Sequence, residues 1–312
     1  MKVVVTGALG HIGSFIIRKI PDYFPQAEVI MLDNMMTQRY PSLFNLPANA
    51  CYRFIEADIR SIDLRPMFDR ADAVIHLAAI TDAASSFGRA AEVEANNLEA
   101  TSRVAAACVD TDSRLIALSS TSVYGTQKSI VAEDCSVDDL KPQSPYAVSK
   151  LKEEELIRNL VKERGLRAIC CRFGTIFGIS AGIRFHTAVN KFCWQAVMGQ
   201  PLTVWQTAYD QKRPYLDIDD ACRACVFIIE NDLFDGKVYN FVTTNAAVRE
   251  VVDTIKVHVP NLQIGFVANP IMNQMSFEVS RELIERCGFR FTGDLRRGIG
   301  ETISILRQAN SC

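Results

Sequence analysis

Short, unbroken apolar runs alternate with longer segments of helical period through the first half of the chain. "KVVVTG" (2–7), "EVIMLDN" (28–34), "YRFIEAD" (52–58), "AVIHLAA" (73–79), "RLIALSS" (114–120) and "RAICCRF" (167–173) read as strands. Between them, "HIGSFIIRKIPDYF", "AAEVEANNLEATSRVAAACVD" and residues 145–164 carry helical spacing. Strands that are apolar throughout, rather than alternating with polar positions, are covered on both faces. With helices between them, they predict a parallel sheet.

The fold class is therefore α/β, a doubly wound parallel (Rossmann) sheet. After residue 174 the alternation breaks into loop, helix and short strand. We read a smaller, discontinuous C-terminal substrate lobe, with 1–174 plus 213–244 forming the dinucleotide-binding domain and 175–212 plus 245–312 the lobe. No internal repeat or low-complexity segment interrupts this order.

Composition narrows the function. The 312 residues are 48% hydrophobic and 22% charged with a net charge of −2, which gives no electrostatic case for nucleic acid or an anionic membrane. No apolar run approaches the roughly 18–20 residues that cross a bilayer. The N-terminal "MKVVVTGALG" reads as strand and turn rather than a leader, so a cytoplasmic location is expected. The ten cysteines (51, 108, 135, 170, 171, 193, 222, 225, 287 and 312) are scattered, mostly within apolar runs, as free thiols of a reducing compartment are. Cys222 and Cys225 form a CxxC on a helical stretch without further ligands, which reads as core packing; no metal site is expected.

Candidate chemistry begins at "TGALGHIGS". Gly7, Gly10 and Gly13 lie between the first strand and first helix, where missing side chains let backbone approach a pyrophosphate at a helix N-terminus. Asp33, at the end of the second strand, is placed to accept from the adenosine ribose hydroxyls and to repel a 2′-phosphate, which points to NAD. Further along, "SPYAVSK" starts a helix with Tyr146 and Lys150 one turn apart on one face. A tyrosine of pKa near 10 is a poor base at neutral pH. A neighbouring ammonium and a positive nicotinamide ring would favour the phenolate.

These motifs keep the order and spacing of the extended short-chain dehydrogenase/reductase family, many of whose members act on nucleotide-linked sugars. The resemblance rests on the G-x-x-G-x-x-G turn, "EADIRS", "HLAA", "NNLEAT", "SSTSVYG", "PYAVSK" and "QKRPYLDIDDA", and covers residues 1 to about 245. It implies that Gly7, Gly10, His11, Ile12, Gly13, Asp33, Asn34, Asp58, Ile59, Leu77, Ala78, Ala79, Asn96, Tyr146 and Lys150 hold NAD. It implies Ser120, Tyr146 and Lys150 as the catalytic set, with Ser120 orienting the substrate oxygen. Thr81, Ser120, Thr121, Thr175, Arg184 and Arg213 are the implied substrate contacts, Arg213 at the nucleotide diphosphate. A homodimer pairing helices at 88–109 and 145–164 is a further implication.

The resembling dehydratases and decarboxylases carry an acid after the fifth strand, where this chain has Thr121 and Ser122; the 3,5-epimerases carry a cysteine that is absent. What remains is oxidation and re-reduction of one carbinol, an NAD-dependent nucleotide-sugar 4-epimerase. The alternatives are an NAD-dependent reductase or dehydrogenase of a (keto-)sugar nucleotide, a 4,6-dehydratase or decarboxylase, and a non-catalytic NAD sensor, against which the intact Ser120, Tyr146 and Lys150 argue. Arg184 suits a sugar carboxylate or phosphate and equally a structural ion pair. His186 reads as a packed or solvated histidine.

Overall fold

The computed structural model describes residues 1–81, 88, 90–125, 129–268 and 276–309; Arg89 of the expected dimer helix and Cys312 lie outside them. The first half comprises β1 (Lys2–Thr6), α1 (His11–Tyr23), β2 (Glu28–Asp33), β3 (Cys51–Glu56), α2 (Arg65–Phe68), β4 (Ala73–His76), α3 (Ala90–Thr111), β5 (Leu115–Ser120), β6 (Ile130–Val131), α4 (Pro145–Arg164) and β7 (Ala168–Phe173). There follow β8 (Thr175–Phe177), α5 (Ala188–Val197), β9 (Leu202–Trp205), β10 (Lys212–Asp217), α6 (Ile218–Glu230), β11 (Val238–Phe241), β12 (Thr244–Ala247) and α7 (Val248–His258). The tail holds β13 (Ile264–Val267), β14 (Glu278–Val279), α8 (Glu282–Arg286) and α9 (Leu295–Gln308).

Seven parallel strands form the main sheet in the order β11-β7-β5-β4-β1-β2-β3. Their order reverses between β1 and β4, and a crevice opens outside the strand ends at such a reversal. Ile16, Ile17 and Ile20 of α1 join Ile228 and Ile229 of α6 over one face. Val104, Ala105 and Cys108 of α3 join Ile157 of α4 over the other. Burial on both faces is why β1 and β7 carry unbroken apolar runs. Cys222 and Cys225 lie in the α1–α6 core, as the sequence reading has them.

Two boundaries differ from the sequence reading. The predicted strand 73–79 ends at His76, and residues 77–79 turn into the crevice. Residue 213 does not itself begin the return to the main sheet. Lys212–Asp217 instead pairs with β8 and β12 in a three-stranded sheet, and the return is made by α6 and β11. Residues 283–291 also depart from the reading, because Ile284 and Phe289 pack into the core beneath α6. The rest of the smaller unit closes around Phe177, Phe192, Val251, Ile255, Ile299 and Ile303.

Asp217 ends β10 and caps α6, accepting from the Asp219 amide at 2.9 Å. Burial, together with nearby Asp220 and Asp219, raises its carboxyl from 3.8 to about 6 against the pull of that amide. Its folded value exceeds its unfolded one, so its contribution to stability is present below about pH 4 and is lost as pH rises through 6. Asp217→Asn keeps a capping side chain without the charge. It is expected to raise stability by on the order of 1–2 kcal/mol at pH 8 and to give no such gain at pH 4, read from melting curves at both. An equal gain at both values would show that ionisation is not the cause.

Candidate active site

All the residues expected to bind cofactor or substrate line one cleft of about 510 Å³ at the strand-order reversal. Its first wall is the glycine turn. Gly7 has a φ of +65°, and a Cβ there would sit 2.7 Å from the Ala78 amide nitrogen. A Cβ on Gly13 would meet the Gly7 carbonyl at 2.4 Å. The turn thus needs glycine to bring β1, α1 and the 77–79 segment together. Gly10 caps α1 with no side-chain hydrogen bond, which leaves the first-turn amides to an anion in the cleft.

Asp33 anchors this turn, accepting from the Leu9 amide at 3.0 Å and the Met35 amide at 2.9 Å. Asp58 is held by Arg60 through a fork closing at 2.7 Å. Asn34 Oδ1 accepts from the Met36 amide, and Asn96 donates to Asn97 at 3.1 Å. Asn97 clamps both the amide and the carbonyl of Ile80, fixing the path that leads to Thr81. Turn, uncapped amides, acid and cleft suit a dinucleotide.

His11 ties the turn to the smaller unit. Its Nδ1 lies 2.8 Å from Ser180 Oγ, and Asn190 Nδ2 donates to its Nε2 at 3.3 Å. Burial, then the charges of Arg39, His186 and Arg184, lowers its pKa to about 3, so the ring stays neutral. Gly182 presses on the same turn: its amide donates to Ser14 Oγ, and its carbonyl accepts from Arg39 at 2.7 Å. Arg39 was not singled out from sequence, because a lone arginine in a loop carries no periodic or motif signal.

The catalytic candidates converge at the end of β5. Ser120 Oγ accepts from the amide and the hydroxyl of Ser122, at 3.2 and 2.9 Å. Those two donors leave the Ser120 proton unspent beside Tyr146, whose pKa Ser120 pulls down. Ser144 caps α4, accepting from the Ala147 amide, and Pro145 takes the first helical position, so Tyr146 lies in the opening turn. Lys150 Nζ lies 5.8 Å from the Tyr146 ring centre.

Lys150 by itself does not hold Tyr146 as a phenolate; the sequence reading invokes the positive nicotinamide ring as well. Burial raises the phenol pKa, Lys150 and Ser120 lower it, and Glu153 raises it further, leaving it above the ordinary value. Ionisation therefore depends on a further positive charge in the cleft.

Beside these groups stand the substrate candidates. Thr121 donates to the Phe173 carbonyl, and Thr175 begins β8. Arg184 donates to Thr81 Oγ1 at 2.5 Å and lies 3.3 Å from His186 Nε2. Arg213 bonds the Gln211 side chain, and burial lowers its pKa. Trp205, Phe277, Gln143 and Ser122 also line this end and were not foreseen. Among the described lining residues the carboxylates are Asp33, the last residue of β2, and Asp58, just past the end of β3.

A family model described as the NAD-dependent epimerase/dehydratase family matches residues 3–241, and the chain belongs to that family. An uncharacterized UDP-glucose epimerase of Bacillus subtilis is 29% identical over 264 residues, covering 82% of this chain and 81% of its own. A trifunctional UDP-glucose 4,6-dehydratase/UDP-4-keto-6-deoxy-D-glucose 3,5-epimerase/UDP-4-keto-L-rhamnose-reductase of Arabidopsis thaliana is 26% identical over 98% of this chain, which spans only 47% of that protein. A UDP-glucuronic acid 4-epimerase from Bacillus cereus, crystallised with UDP-glucuronic acid and NAD, superposes with a TM-score of 0.90 at 25% identity, covering 99% of this chain and 100% of that one.

Proposed function

We propose that this protein is a nucleotide-sugar 4-epimerase that keeps NAD bound and oxidises and re-reduces one sugar carbinol. One observation carries the reading. Ser120, Tyr146 and Lys150 meet at an end of the cleft where the described lining offers hydroxyls, amides and cations but no carboxylate. Dehydration needs an acid for the departing hydroxyl and a base for a carbon-bound proton, and residues 121 and 122 are Thr and Ser. Epimerisation at a carbinol needs only one group that takes and returns a hydroxyl proton. The solved B. cereus 4-epimerase and the B. subtilis relative support the same reading.

NAD would supply the reversible two-electron oxidation. Gly7, Gly10, Gly13 and the opening amides of α1 would hold its pyrophosphate, Asp33 its adenosine ribose, and Lys150 its nicotinamide ribose. Ser120 would fix the sugar oxygen, and Tyr146 would take its proton during oxidation and return it during reduction. The sugar ketone must turn over between these steps, so the cleft must grip the nucleotide more firmly than the ring. Arg213 suits the diphosphate. The same reading includes a homodimer through α3 and α4, and a reducing cytoplasm that the nine described free thiols fit.

Purified protein is expected to interconvert a nucleotide sugar with its 4-epimer without added cofactor, followed by NMR across UDP-, GDP-, CDP- and dTDP-sugars. Conversion only with stoichiometric added NAD or its reduced form would favour the reductase reading.

Arg184 assigns a second feature, preference for a sugar bearing an anionic group. Losing a charge-assisted hydrogen bond costs about 1.5–3 kcal/mol, or about 10–100-fold in binding. Arg184→Ala is expected to raise KM for a nucleotide uronic acid by that factor and to leave the neutral hexose within about threefold. Equal losses for both would make Arg184 a packing residue.

A further inference from the structure

Lys150 does not serve Tyr146 alone. Its ammonium lies 2.8 Å from Glu153 Oε2, one turn along α4, and both side chains are 5% exposed. The same oxygen accepts from Thr101 Oγ1 of α3 at 2.9 Å. Thr101 continues to His76 at 3.0 Å, and His76 to Thr6 at 2.7 Å. Glu153 Oε1, by contrast, is buried with no hydrogen-bond partner among the described residues.

A purely structural buried ion pair satisfies both carboxylate oxygens, because each bare one has lost its water. Its neighbour does so: Glu154 takes Arg172 on both oxygens and Ser119 on one. Glu153 instead directs one oxygen at the cation of the proton-transfer pair and leaves the other bare.

The groups around this carboxylate limit what can modulate it. On α4 these are Lys150 and Tyr146, with Glu154 turned to Arg172. From α3 comes Thr101, and from β4 comes His76, whose burial lowers its pKa to about 3 and keeps it neutral. The buried Cys170 thiol of β7 lies near Lys150. Lys150 is the cation that Tyr146 and Glu153 share.

We propose that Glu153 is a positioning residue for the proton transfer: it anchors the Lys150 ammonium and offsets part of its charge, so Tyr146 ionises readily only beside the positive ring of oxidised NAD. Base strength at Tyr146 then follows the charge in the cleft instead of being fixed by Lys150. The phenol keeps its proton while the sugar is a ketone, which prevents its loss before the return step. The role rests on the 4-epimerase reading, but the titration can be measured without turnover.

The tyrosinate absorbance of NAD-loaded protein is titrated and subtracted from that of Tyr146→Phe, which isolates this phenol. Glu153→Gln removes the charge and keeps the shape; its Tyr146 midpoint is expected to fall by about one pH unit. Glu153→Met, a second neutral replacement with different packing, is expected to move it the same way, and Glu153→Asp to stay near the parent. A midpoint unmoved or raised in the neutral variants, or an Asp variant shifted as far as they are, overturns the inference. Epimerisation by the parent protein is assayed separately: its absence alongside the expected shifts would refute the functional reading and leave the role of Glu153 in the titration standing.

Discussion

Tyr146→Phe is expected to lower kcat by about 10³-fold or more while NAD stays bound and the fold stays intact. General acid–base groups contribute about 10²–10⁴-fold, and Tyr146 is assigned both the taking and the returning of the proton, so the loss falls at the upper end. The phenyl ring fills the same volume at the head of α4, and Lys150 keeps its Glu153 partner, so neither packing nor the ion pair changes. The parent's rate should also fall as pH drops through the phenol's titration, because only the ionised form accepts a proton. Dinucleotide content by absorbance and turnover by NMR separate the two effects. A variant within tenfold of the parent would remove Tyr146 from the chemistry.

The largest loss of stability is expected at the neighbouring carboxylate. Glu154 and Arg172 are 2% and 3% exposed, closed by bonds of 2.8 and 2.7 Å, with Arg172 also donating to the Tyr124 hydroxyl and Tyr124 to Asn240. Ser119, next to Ser120, donates to Glu154 at 2.5 Å, so this network joins α4 to the ends of β5 and β7. Glu154→Ala leaves an unpaired buried guanidinium and is expected to cost about 3–5 kcal/mol, a drop of roughly 10 °C in Tm. Replacing both partners, Glu154→Leu with Arg172→Met, removes the stranded charge and is expected to recover most of that loss. A double variant as unstable as the single one would mean that the pair's shape, not its charge, holds α4.

What could be read from the sequence follows from the range of the interactions involved. The glycine turn, Asp33, Ser120, Tyr146 and Lys150 sit at strand ends and helix starts, where a few adjacent residues dictate both local structure and direction. The apolar strands gave the sheet for the same reason. By contrast, nothing local in "KLKEEEL" marks Glu153 and Glu154 for burial, yet both are buried there beside Lys150. Their partners Thr101 and Arg172 lie on other elements, and no local pattern announces a buried polar seam. The three-residue spacing of Lys150 and Glu153 was the visible trace of it. Arg39 and Gly182 meet only through the fold. Residues 283–291 were assigned to the lobe by chain order, whereas Phe289 and Ile284 complete the core of the main sheet.

Epimerisation in D₂O, with the product's ring positions read by NMR, tests the central claim most directly. Oxidation and re-reduction by a retained cofactor predicts product whose C4 carries the original protium and no solvent deuterium. Deuterium at C4 or its neighbours would mean that a carbon-bound proton exchanges with solvent, and the account given for Ser120, Tyr146 and Lys150 would be contradicted.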